Sequence, residues 1–110
     1  MTYFPTCEKE YTGMTSTGAY VQVVTVDMTN AHGGLIAIKN TDPANNLLWK
    51  VDSYANWAGT IPCTEKNEAP VAPGMIDFFP FDGKVRSKYI VNLMSEITPA
   101  AYRIEVITGD

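Results

Sequence analysis

Between Tyr20 and Ile107 the chain advances in short runs of strand-forming residues broken by turn signals, and no run keeps a helical period. The runs lie at 20–28, 35–40, 47–54, 71–81, 87–95 and 101–107 and are rich in Val, Ile, Leu, Tyr and Phe. Successive strand side chains point to opposite faces, so a run with one apolar set and one polar set lies with one face on a core. In "AYRIEVI", Tyr102, Ile104 and Val106 alternate with Arg103 and Glu105; in "LLWKVDSY", Leu47, Trp49 and Val51 alternate with Leu48, Lys50 and Asp52, and Trp49 is the expected core anchor. In "KYIVNLM", Tyr89, Val91 and Leu93 form the inward set. Pro73 and Gly74 predict a turn in which Gly74 takes positive φ. The stretch "ANWAGTIPCTEKNEA" reads as a long connection holding a helical turn or a short edge strand around Thr60 to Thr64, with Pro62 keeping it off any central position because it cannot donate to a ladder.

Such spacing predicts an all-β chain folded as an antiparallel β-sandwich of about seven strands. At 110 residues it forms one domain with a core large enough to need neither metal nor disulfide. Residues 1–18 mix Pro, Gly, Thr and Ser with isolated aromatics and no sustained period, so they are expected to be an extended N-terminal arm, leaving 19–110 as the sandwich.

Charge removes several functional classes. With 8 Lys and Arg against 12 Asp and Glu, a net charge of −4 and no basic run, the chain lacks the cationic footprint needed to neutralise phosphates or to sit on an anionic membrane. The start "MTYFPTCEKEY" has no basic segment followed by an apolar run, which predicts a protein made in the cytoplasm without a secretory leader. Cys7 and Cys63 are far apart and in no metal spacing; free thiols and a mutual disulfide are both open.

Catalytic chemistry is not expected. The single histidine, His32, stands in the turn sequence "NAHGG", and no nucleophile, phosphate-cradling or dinucleotide motif is present. Two cysteines and one histidine cannot form a recognisable zinc set; Asp82 and Gly83 suit a hairpin turn better than a calcium loop; Glu8 with Glu10 and Glu65 with Glu68 lie in polar stretches. No cofactor or metal is implied.

The order of features resembles the immunoglobulin-like superfold: two early hairpin-spaced strands, a tryptophan on the third, a "PG" turn before the fifth and Tyr89 near the start of the sixth. The likeness covers about residues 19 to 108 and extends to the general sandwich, since the cysteines do not occupy the antibody-type positions. It implies that the strands at 47–54, 87–95 and 101–107 share a sheet. In architecture the chain also resembles small decoration or accessory proteins of phage and virus particles.

Under that sheet assignment one outer face carries Leu48, Lys50, Asp52 and Tyr54, then Lys88, Ile90, Asn92 and Met94, then Arg103 and Glu105. Apolar groups rimmed by charge are the composition of a protein contact. The expected contact residues are Leu48, Lys50, Tyr54, Ile90, Asn92, Met94 and Arg103, joined by Trp57 in its glycine-bounded loop and by Tyr3 and Phe4 on the arm. The functional expectation is a non-catalytic assembly protein, a virion decoration or accessory component that contacts copies of itself or a larger protein lattice. The alternative is a small carbohydrate-type binding module using Trp57 and Tyr54 as a stacking platform.

Overall fold

The computed structural model describes residues 5–28, 33–54, 62–82 and 88–109, apart from the side chains at 5–7, 62 and 82. The described residues form eight strands and no helix: β1 (Pro5–Met14), β2 (Val21–Asp27), β3 (Gly33–Asn40), β4 (Leu47–Tyr54), β5 (Pro62–Val71), β6 (Ile76–Asp82), β7 (Lys88–Met94) and β8 (Ala101–Gly109). They make two four-stranded sheets, ordered β1-β8-β3-β6 and β2-β7-β4-β5, with every neighbouring pair antiparallel.

The expected antiparallel sandwich is therefore the fold, and its strand order is that of a jelly roll. The chain changes sheet at every connection except the one from β4 to β5. This order corrects the immunoglobulin-like grouping: β4 and β7 are neighbours, but β8 lies in the other sheet, so Arg103 and Glu105 face away from Leu48, Lys50 and Tyr54 on the opposite side of the molecule.

Two further segments differ from expectation. The supposed arm is, from Pro5 to Met14, an edge strand paired along its length with β8. The segment after it is stitched to the β7–β8 connection by Thr15 N to the Ala100 carbonyl, Gly18 N to the Ser95 carbonyl and Ser95 N to the Ser16 carbonyl. The stretch 62–71, expected as mostly connection, is a ten-residue edge strand whose register against β4 shifts twice, at Trp49/Val51 and Val51/Asp52. Pro62 is tolerated there because β5 has a neighbour on one side only.

Burial follows the two-residue alternation. Leu47, Trp49, Val51, Val91, Leu93, Ile36, Ile38 and Ile104 are fully inaccessible, and Tyr89 joins Phe79 and Phe81 in an aromatic group with centroid separations of 4.7 to 6.2 Å. The Pro73–Gly74 turn forms as expected, with Gly74 at φ 78° and Met75 N bonded to the Ala72 carbonyl at 3.0 Å. At Gly34 a Cβ would stand 2.0 Å from the Ile107 carbonyl oxygen, so the close approach of β3 to β8 requires glycine.

Two polar devices join the sheets. Asn40, fully buried at the end of β3, donates from Nδ2 to the carbonyls of Asn45 and Val71, both at 2.8 Å, and accepts from Asp42 N at 2.9 Å. Trp49 of β4 donates from Nε1 to Asp77 Oδ2 of β6 at 2.9 Å, while Lys66 of β5 lies 3.3 Å from the same carboxylate and 5.3 Å from the indole centroid. Partial burial pushes the Asp77 carboxyl up, but bonds from the indole, the Phe78 amide and Lys66 outweigh it and hold the group below the usual carboxylate range.

A group held below its unfolded pKa stabilises the fold above that pKa and loses the contribution as pH falls through the lower folded value. With the Asp77 side chain 35% exposed, solvent screening limits the contribution, and Asp77→Asn is expected to lose only about 1 kcal/mol at neutral pH. The gap between the two proteins should narrow below about pH 4 in urea titrations across pH. Parallel stability curves down to acid pH would contradict this role.

Candidate functional site: two outer faces

The outer face of β2-β7-β4-β5 is not the open apolar surface expected from the sequence. Leu48, Lys50, Tyr54, Asn92 and Met94 do point outward and are half-buried, but Ile90 is only 6% exposed. Ile90 belongs to a central strand and lies in the ladder between Thr25 of β2 and Asp52 of β4. Its strand neighbours are held in place: the Lys88 ammonium sits 4.7 Å from the Tyr54 ring centroid, and Asn92 Nδ2 donates to Asp52 Oδ2 at 3.0 Å.

The lacing continues across the face. Lys50 stands 4.9 Å from the Tyr20 ring centroid and 3.9 Å from Asp52, and the Tyr20 hydroxyl donates to Glu68 Oε2 at 2.6 Å. Burial, then the hydrogen bond to Glu68 and its charge, push the Tyr20 phenol well above its ordinary value, so it stays a neutral donor at any physiological pH. Because Lys88 already covers the Tyr54 ring, that ring is a poor stacking platform for a sugar. Tyr3, Phe4 and Trp57, the remaining expected contacts, lie outside the described residues, as do His32 and Gly83 of the expected turns. Cys63 carries a free thiol. Among the described residues no cluster of three or more His, Cys, Asp or Glu could hold a metal ion.

The other outer face is different in kind. Strand register arranges β1-β8-β3-β6 in rows across the sheet: Glu8, Ile107, Leu35 and Pro80 in the first; Glu10, Glu105, Ala37 and Phe78 in the second; Thr12, Arg103, Lys39 and Ile76 in the third. On β8, β3 and β6 the alternating set includes the buried Ile36, Ile38, Phe81, Tyr102, Ile104 and Val106, so these twelve side chains form the outer face. Phe78 is 52% and Ile76 50% exposed, with Met75 at 58% just before β6 and Met14 at 59% at the end of β1. Of the six large apolar residues exposed among the described residues, only Val21 and Ile97 lie away from this sheet.

A shallow apolar depression lies between Ala37, Lys39, Ile76, Phe78, Arg103 and Glu105. Arg103, expected as a contact residue of the other face, sits here and donates from Nη2 to Glu10 Oε2 and Glu105 Oε1, both at 2.9 Å. The contact residues expected from the sequence do not include Ile76, Phe78 or Pro80, although Pro80 marks the edge strand that β6 is. The signal was present in "MIDFFPF", where both alternating sets are apolar apart from Asp77. One set, Phe79 and Phe81, packs in or against the core, and the other stands in water.

Strand order, all-antiparallel pairing and the absence of helix among the described residues define the chain as a jelly-roll β-sandwich. Two solved structures share this fold at low identity. Yersinia pseudotuberculosis-derived mitogen (YPM) aligns with a TM-score of 0.62 and 12% identity over 97% of this chain and 89% of that one. PirA aligns with a TM-score of 0.57 and 11% identity over 92% of each chain. A chain of the T13 infectious bursal disease virus particle aligns less closely, at 0.48 and 11% identity over 93% of this chain and 31% of its own. No protein-family model and no curated protein sequence matches.

Proposed function

We propose that this is a non-catalytic structural protein that works by protein contact through the outer face of β1-β8-β3-β6. The observation that carries the reading is the concentration of exposed large apolar side chains along β6, beside a charged strip on the same rigid sheet. Exposed apolar patches rimmed by polar groups mark interaction surfaces. Covering the remaining half of Met75, Ile76 and Phe78 contributes about 1 kcal/mol each, which does not offset an association cost of at least about 4 kcal/mol. Leu35, Pro80, Ile107 and the charged strip must therefore join the contact, and the whole face is the functional unit.

Within this reading the protein is an assembly or accessory component made in the cytoplasm, with a virus particle as its setting. The setting rests on the architectural resemblance of a compact, acidic sandwich to such proteins. Contact itself is tested by replacing Phe78 with a benzophenone-bearing phenylalanine and irradiating the cells or particles that contain the protein. Protein adducts from position 78, with none from the same probe at Tyr54, support the reading; the absence of any protein adduct at position 78 sinks it.

A further inference from the structure

We infer that the occupant of this face is a second copy of the chain, packed sheet to sheet about a two-fold axis that runs across the strands between the second and third rows. The inference rests on the contact reading above and adds the partner and its geometry. A two-fold contact brings one surface against itself, so the pattern on the face must be self-complementary.

Of the two orientations that overlay all four strands, one satisfies the pattern. If the axis ran along the strands, β6 of one copy would lie over β1 of the other, setting Ile76, Phe78 and Pro80 against Thr12, Glu10 and Glu8. Running across the strands, the axis keeps each strand over its own counterpart and exchanges the rows. Phe78 of one copy then meets Ile76 of the other along the apolar edge. Glu105, in the second row of β8, meets Arg103, in the third row of β8, and the exchange is reciprocal.

Charge balances in this arrangement. Each copy contributes Glu10, Glu105, Arg103 and Lys39 to the central two rows, equal numbers of each sign. Arg103 and Glu105 are each about half exposed and can reach across. Lys39 is exposed, has no ion pair among the described residues of its own chain and comes to lie beside the facing copy's Glu105. Sheets packed face to face hold their strands within about 30° of alignment, which keeps the central rows in register. Pro80 has no N–H to offer a further strand on the open side of β6, which favours contact through the face over extension of the sheet at its edge.

The test is a charge exchange read by sedimentation equilibrium from about 1 μM to about 1 mM. Arg103→Glu places carboxylates against each other in its own dimer, Glu105→Arg places guanidiniums against each other, and each is expected to weaken self-association by at least about tenfold. In an equimolar mixture the two carboxylates of the R103E chain face the two guanidiniums of the E105R chain, so the mixture should associate more tightly than either variant alone. The double variant R103E/E105R should recover the wild-type behaviour. All the exchanged side chains are exposed, and circular dichroism verifies that each variant is folded.

A wild-type chain that stays monomeric throughout overturns the inference, as does a mixture no tighter than its components. Adducts at position 78 to a different protein, with a monomeric wild type, would remove the second copy and leave the contact reading standing. Loss of those adducts as well would remove both.

Discussion

Trp49→Ala is expected to destabilise the protein by about 4 kcal/mol, a large share of the roughly 5 to 15 kcal/mol available to a domain of this kind. Trp49 is fully buried in the middle of β4 and is the largest side chain in the core. Truncation removes its apolar contacts and leaves a cavity that rigid neighbouring strands cannot close. It also takes the indole donor from Asp77 and the aromatic face from Lys66, the groups that join β5 and β6 on one side of the sandwich. Trp49→Phe separates the two effects: it keeps much of the ring and loses the N–H, for an expected loss of about 1 to 2 kcal/mol. Urea midpoints of the three proteins give the comparison. A Trp49→Ala protein within about 1 kcal/mol of wild type would contradict the role of this residue as anchor.

The second large effect is expected at Asn40, where Leu preserves most of the volume but none of the hydrogen bonds. The Asn40 side chain is inaccessible to solvent and satisfies the carbonyls of Asn45 and Val71 and the amide of Asp42. Three backbone groups would lose their partner at once, and buried polar groups left unsatisfied cost about 1 to 3 kcal/mol each. Relaxation and entry of water reduce that sum, so Asn40→Leu is expected to lose about 3 kcal/mol overall. Because Asn40 ties the end of β3 to the 41–46 connection and to the end of β5, amide exchange should rise first at Asp42, Gly74 and Met75. A stable variant with unchanged exchange at those amides would show that the network is dispensable.

The two residues also show what could be read in advance. Trp49 was legible because alternation in "LLWKVDSY" is local: the inward set follows from the two-residue period without knowledge of any partner strand. The same holds for Tyr89, Val91 and Leu93, all buried, and for Tyr102, Ile104 and Val106. Asn40 was not legible, because its value comes from Val71, which is distant in sequence and brought near by the fold.

Edge strands were the weak point at the level of elements. β1, "PTCEKEYTGM", and β5, "PCTEKNEAPV", carry charge and proline because each pairs on one side only, and that composition resembles a loop. Sheet membership failed for a different reason. Immunoglobulin and jelly-roll sandwiches share inside-outside alternation and have similar strand numbers, and they differ in long-range pairings that no local pattern records.

That difference moved the candidate surface. An apolar outward set signals a contact only where no neighbour closes over it, and in "KYIVNLM" the strand is central, so its neighbours cover Ile90. In "MIDFFPF" the strand lies at an edge, where Ile76 and Phe78 stay in water. Of the expected contact residues, Arg103 lies on the face with Ile76 and Phe78, while Leu48, Lys50, Tyr54, Asn92 and Met94 lie on the laced one.

The decisive measurement is hydroxyl-radical footprinting of the protein in the assembled state, compared with the dilute isolated chain. Each outer face carries reactive reporters: Met14, Met75 and Phe78 beside or on the β1-β8-β3-β6 face, Met94 and Tyr54 on the β2-β7-β4-β5 face. Oxidation of Met75 and Phe78 should fall strongly on assembly while Met94 and Tyr54 keep their rates. Protection of Met94 and Tyr54, with Met75 and Phe78 unchanged, would contradict contact through β1-β8-β3-β6 and return it to the other face.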